Sequence, residues 1–154
     1  MYKKKSPLLF TILPFFFVFN TFAGTMIVGK NHINMTPVKV KDYEAGYKEE
    51  LKANRIIVLN ITDPAWKLFI KTNSNNMGIN GTYTKPITDF EWRASGDYAT
   101  QTTYIPITNY DVEAASGETG KKFTIYIDHK VLLLWSDDIP GDYNIDVTYT
   151  VTTE

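Results

Sequence analysis

Apolar and polar residues alternate most strictly at the C-terminal end of the chain. There Tyr143, Ile145, Val147, Tyr149 and Val151 interleave with Asn144, Asp146, Thr148, Thr150 and Thr152. A period of two places one set on each face of a strand, and no helix separates them in this way. The same period runs through KFTIYID at 122–128, where Phe123, Ile125 and Ile127 oppose Thr124, Tyr126 and Asp128, and an apolar run follows at 131–135. Upstream, RIIVLNIT at 55–62 is rich in β-branched residues. Asp63 and Pro64 then punctuate the chain before AWKLFIKT, in which Trp66, Leu68 and Ile70 alternate with Lys67, Phe69 and Lys71. That pattern predicts two strands meeting at a tight corner.

Weaker signals fill in the rest. Short strands are expected at 26–28, 37–40, 90–93 and 103–107, and the charges and apolar residues of 43–51 fit a helical turn or an edge strand equally well. The Asn- and Gly-rich stretch NSNNMGING at 73–81, GETG at 117–120 and Pro140-Gly141 read as turns, because these residues tolerate the conformations that turns require. About seven or eight short strands with frequent turn signals predict an all-β protein, an antiparallel β-sandwich of immunoglobulin-like or fimbrial-like architecture.

Composition narrows the setting. With 154 residues, 44% apolar and 21% charged, the chain matches one folded domain of ordinary make-up, and its 14% aromatic content suits strands. Lys3, Lys4 and Lys5, the apolar stretch at 8–19 and the small residues Thr21 and Ala23 form the three parts of a secretory signal, with cleavage expected after Ala23. The apolar stretch is interrupted by Thr11 and Pro14 and is too short to cross about 30 Å of hydrocarbon. The expected organisation is therefore a leader at 1–23 and a single β-sandwich domain at 24–154, secreted or held at the cell surface, with no membrane insertion of the mature chain. The net charge is -1 before the three lysines are removed, so the mature domain is mildly acidic. Such a domain offers phosphates no cationic surface, and nucleic acid is not an expected partner. No cysteine is present, which excludes disulfides, thiolate metal sites and a thiol nucleophile.

The segment 122–152, with its KFTIYID strand, the IPGDY turn and the closing YNIDVTYTVT, resembles the final strands of bacterial surface β-sandwich proteins of the spore-coat-U-like and fimbrial types. The resemblance implies a structural role at the cell surface and carries over no catalytic residue. The sequence departs from the fimbrial pattern in having no cysteine pair and no clear alternating apolar donor strand between residues 24 and 51.

Little else points to chemistry. His32 and His129 lack metal-ligand spacing, and His129 reads as a turn residue rather than a ligand. No serine lies in a nucleophile elbow, and Asp89, Glu91 and Glu113 would make a glycosidase pair only if folding brought them together across a cleft. The expectation is a non-enzyme without a cofactor. Asp137, Asp138 and Asp142 place oxygen ligands at short range, which makes calcium a minority reading beside a solvated acidic turn. Trp66 and Trp92 fall in phase with core residues. Tyr126, on the outer face of its strand, and Trp135 are the candidate binding residues. The function expected is a structural or interaction protein that meets a protein partner or its own copies through strand edges, with a carbohydrate-binding module as the alternative.

Overall fold

The computed structural model describes residues 24–30, 35, 38–80, 83–138 and 143–154. The predicted leader at 1–23, His32, Pro37 and Asp142 lie outside the described residues. Two long strands organise everything else. Strand β2 (Tyr47–Thr72) runs antiparallel to β7 (Val112–Leu132) from the pair Tyr47 and Leu132 to the pair Ile70 and Val112. One edge of β2 carries β1 (Thr25–Val28) along 56–59 and β8 (Val147–Thr153) along 66–72. The far edge of β7 carries β5 (Phe90–Ser95), and β6 (Ile105–Pro106) adds to β5. Strands β3 (Asn76–Asn80) and β4 (Tyr83–Pro86) form a separate two-stranded sheet.

The long pair is bent, and the bends explain how one ladder serves two layers. Its register shifts between Glu50 and Asn54, between Ile61 and Ala65, and between Leu68 and Phe69. At the first shift Lys52 adopts a left-handed φ of 51°, and its N–H leaves the ladder to donate to the Asp128 carboxylate at 2.6 Å. The second shift holds Asp63 and Pro64. A proline has no N–H to offer a ladder, and a gap in the pairing is where it is tolerated. The predicted corner thus exists as an irregularity within one hydrogen-bonded strand, not as a break between two. Beyond the bend, Trp66 folds back onto Phe123, whose cross-strand partner Val58 lies before it; the ring centroids are 4.9 Å apart, and Tyr98 meets Phe123 edge-on at 4.8 Å.

The buried set follows the period of two read from the sequence. Ile56, Val58, Trp66, Leu68, Ile70, Trp92, Ile125 and Ile127 are all essentially inaccessible. At about 25 cal/mol per Å² of apolar surface, burial of this kind is the dominant stabilising term for a domain without disulfides.

Several expected elements take a different form. Residues 117–120 are not a turn but the middle of β7. Gly117 pairs with Trp66, and a Cβ there would sit 2.8 Å from the indole nitrogen, so the glycine leaves room for a ring. His129 is likewise no turn residue: it lies in β7, 4% exposed, against Phe90. The ambiguous segment 43–51 divides into a short helix α1 (Val40–Ala45), closed by Gly46 at φ 76°, and the start of β2. The helix also claims Val40, the end of the strand expected at 37–40, and its first turn is tied by the Lys39 N–H donating to Asp42 at 2.8 Å. Within the loop expected at 73–81, β3 occupies Asn76–Asn80.

Candidate functional site

The edges of β1 and β8 meet on one side of the molecule. Strand β8 pairs with β2 alone among the described strands, so no described strand pairs with its other edge. Val147, Tyr149 and Val151 pack inward against the core, which turns Thr148, Thr150 and Thr152 to the opposite face. A shallow open groove of about 340 Å³ runs beside this strand, lined by Val28 and Lys30 from the end of β1 and by Val147, Thr148 and Tyr149 from β8. Val28 and Tyr149 sit opposite β2 residues 56 and 70, far apart along that strand, yet share the groove because the bent ladder brings the edges of both layers together. The start of β8 is anchored by Thr72, whose hydroxyl donates to the Asp146 carbonyl at 2.6 Å and accepts from the Ser74 N–H. At the floor of β1, the Asn54 side chain accepts from the Lys30 N–H and donates to the Lys30 carbonyl, fixing the chain that leaves the strand.

The outer face of β2, β7 and β5 carries a second constellation. Tyr104 donates to Glu49 at 2.6 Å, with the Arg93 guanidinium 4.6 Å and the Lys130 ammonium 4.5 Å from its ring. Burial and the Glu49 carboxylate push the Tyr104 hydroxyl above its ordinary pKa. Arg93 also donates to Asp128 at 2.8 Å, and Lys130 pairs with Glu91. Each cation is thus matched by a carboxylate, leaving no surplus positive charge for a polyanion.

Tyr126 and Trp135 are not brought together. The Tyr126 ring is covered by the Lys52 ammonium at 4.9 Å. Trp135, 62% exposed, stacks on Tyr43 with centroids 4.4 Å apart and planes 27° from parallel. The two rings cover each other's faces instead of lying side by side as a platform, leaving one open indole face.

Of the acidic loop, Asp138 turns inward. Its Oδ1 accepts from the Lys85 ammonium at 2.6 Å and from the Tyr83 hydroxyl at 2.8 Å, and its Oδ2 accepts from the Leu134 N–H at 2.9 Å. Asp89 holds the same ammonium at 2.9 Å. The Lys85 and Asp138 side chains are 1% and 2% exposed, against 19% for Asp89. Burial alone would lower the lysine pKa and raise that of the aspartate, but the mutual hydrogen bonds outweigh it and move both the other way, toward the ion pair. Among the described residues, no three His, Cys, Asp or Glu side chains converge as a metal set. The sequence pattern points to a solvated Asp138 and does not single out Lys85. The one available signal was a lysine beside Pro86 in a segment with no assigned strand, too weak to mark burial.

No protein-family model matches the sequence, and no curated protein matches it. Solved structures do match in fold. A subunit of a chaperone–usher pilus, from a structure concerned with uncoiling of the pilus rod, aligns over 99% of this chain and 96% of its own, with a TM-score of 0.55 and 11% identity. The P pilus rod subunit PapA aligns over 86% of this chain and 99% of its own, with a TM-score of 0.54 and 12% identity. The chain therefore has the antiparallel β-sandwich fold of fimbrial-type subunits, as the closing strands implied.

Proposed function

We propose that this protein is exported by cleavage of the leader after Ala23 and acts at or beyond the cell surface as a structural subunit that associates with its own copies through strand edges. The observation that carries this reading is the outer edge of β8, which no described strand pairs, set beside the groove that β1 and β8 share. An extended segment added there would gain main-chain hydrogen bonds along β8 and side-chain contacts in the groove, the general mode of strand addition. The likeness of fold to pilus rod subunits supports the reading. Among the described residues no helix is long and apolar enough to cross a membrane. The role is structural and non-enzymatic, in keeping with the paired carboxylates: Glu91 is bound to Lys130 and Asp89 to Lys85.

Hydrogen exchange tests the edge directly. Amides of β8 that do not bond to β2 are expected to gain protection as protein concentration rises, while those of β6 stay unchanged. Exchange at β8 that is independent of concentration would exclude it as the assembly surface. The carbohydrate-binding alternative rests on the open face of Trp135, and glycan-array binding abolished by Trp135→Ala would favour it instead.

A further inference from the structure

The buried group around Lys85 has the parts of a condensation site. Its ammonium lies 2.6 Å from Asp138 Oδ1 with both side chains removed from water. A nitrogen that close to a carboxylate oxygen lies within about 4 Å of the carboxyl carbon, so a small shift brings it to the roughly 3–3.5 Å of a near-attack pair. The carboxylate is held by two further donors, the Tyr83 hydroxyl on Oδ1 and the Leu134 N–H on Oδ2, and these remain in place to bind the oxyanion of a tetrahedral intermediate. A second carboxylate, Asp89, contacts the same nitrogen at 2.9 Å, is the most exposed of the three groups, and is placed to carry a proton. A buried ion pair contributes little to stability by itself, because desolvation cancels much of the Coulombic gain, so its retention here in place of apolar residues calls for another reason.

We propose that Lys85 and Asp138 condense in the folded chain to an intramolecular amide. One proton passes from the ammonium to Asp138 along their hydrogen bond, which gives the neutral amine and the neutral acid, and the second passes to Asp89 only as the nitrogen bonds to carbon and its acidity rises. The amine then attacks the carboxyl carbon; the C–N bond forms, a C–O bond breaks, and the departing oxygen takes back the proton held by Asp89 and leaves as water. The nitrogen loses two protons and the carboxyl group one oxygen, charge is conserved, and no co-reactant is needed. Desolvation is the largest single influence on both groups and favours their neutral forms, while their mutual hydrogen bonds hold the resting pair ionised. The step needs the folded arrangement, because only there do the three side chains meet. Its product ties β4 to the loop after β7 across 53 residues, a covalent staple in a chain that has no cysteine to form one.

Intact mass of the purified chain, measured under denaturing conditions after incubation in the folded state, tests this. The expected mass lies below that of its sequence by one water, with peptide mapping locating the loss to a branched peptide that joins Lys85 to Asp138. The full mass after prolonged incubation, or a water loss mapped elsewhere, overturns the proposal and leaves an ion pair only. Asp138→Asn is expected to keep the Lys85 and Tyr83 contacts on its remaining oxygen, to give up the acceptor for the Leu134 N–H and to lose ammonia instead of water, and Asp89→Asn to slow bond formation about a hundredfold while leaving the fold intact. Equal rates in wild type and Asp89→Asn would overturn the role of Asp89.

Discussion

His129 shows how one buried side chain ties stability to pH. Burial pushes its pKa from 6.5 to about 4, because a charged imidazole against Phe90 would be stripped of water. The unfolded chain therefore binds a proton that the folded chain refuses between those two values. Stability from this group is fully present above pH 6.5 and is lost as pH falls toward 4, by an amount on the order of 3 kcal/mol. Denaturation midpoints at pH 7 and pH 4.5 should differ accordingly, and His129→Gln should remove most of the difference; an unchanged slope in the variant would show that other groups set it. At Gly117 the constraint is steric. A methyl group would meet the Trp66 ring, and Gly117→Ala should cost about 1 to 3 kcal/mol in chemical denaturation, whereas an unaltered midpoint would mean that the ring can move aside. The tryptophans are unequal in a way fluorescence reports: Trp66 and Trp92 are buried, and Trp135 is exposed. Acrylamide should quench one component, which Trp135→Phe should abolish. Quenching that survives the substitution would contradict the placement of all three.

At the scale of elements, the closing strand depends on a contact made outside its own ladder. Thr72 is buried, and its hydroxyl joins the Asp146 carbonyl to the Ser74 N–H. Thr72→Val keeps the shape and strands both groups, so it should cost about 1 to 3 kcal/mol and speed hydrogen exchange at 147–149; unaltered exchange there would show that the ladder alone holds β8. The strands that alternate were legible from the sequence because one face is buried and the other is not, as in β5 and the second halves of β2 and β7. Where a polar residue was buried with a partner, the pattern misled: His129 and Asp128 look like the end of a strand, yet β7 runs through them because Asp128 is satisfied by Lys52 and Arg93. Glycines misled for the opposite reason. At Gly117 and Gly120 they make room for rings, that of Trp66 across the ladder, which is invisible locally, and that of Phe123 three residues along the same strand. The Lys85 group was illegible for the same cause, since its members lie on β4 and on the loop after β7 and meet only in three dimensions.

For the whole molecule, the bent β2–β7 pair makes a sandwich whose open feature is an edge. Hydrogen bonds offered at that edge are satisfied by water in a monomer and by another chain in an assembly, and an exposed edge invites such pairing unless it is blocked. Lysines on the outer face of β8 are one such block. Thr150→Lys with Thr152→Lys leaves the inward residues Tyr149 and Val151 untouched and should not alter the fold. The most direct test is light scattering on the chain 24–154 over a wide concentration range, with this double variant alongside. The account predicts species larger than the monomer that grow with concentration in the wild type and are suppressed in the variant; a wild-type chain that stays monomeric throughout would contradict it.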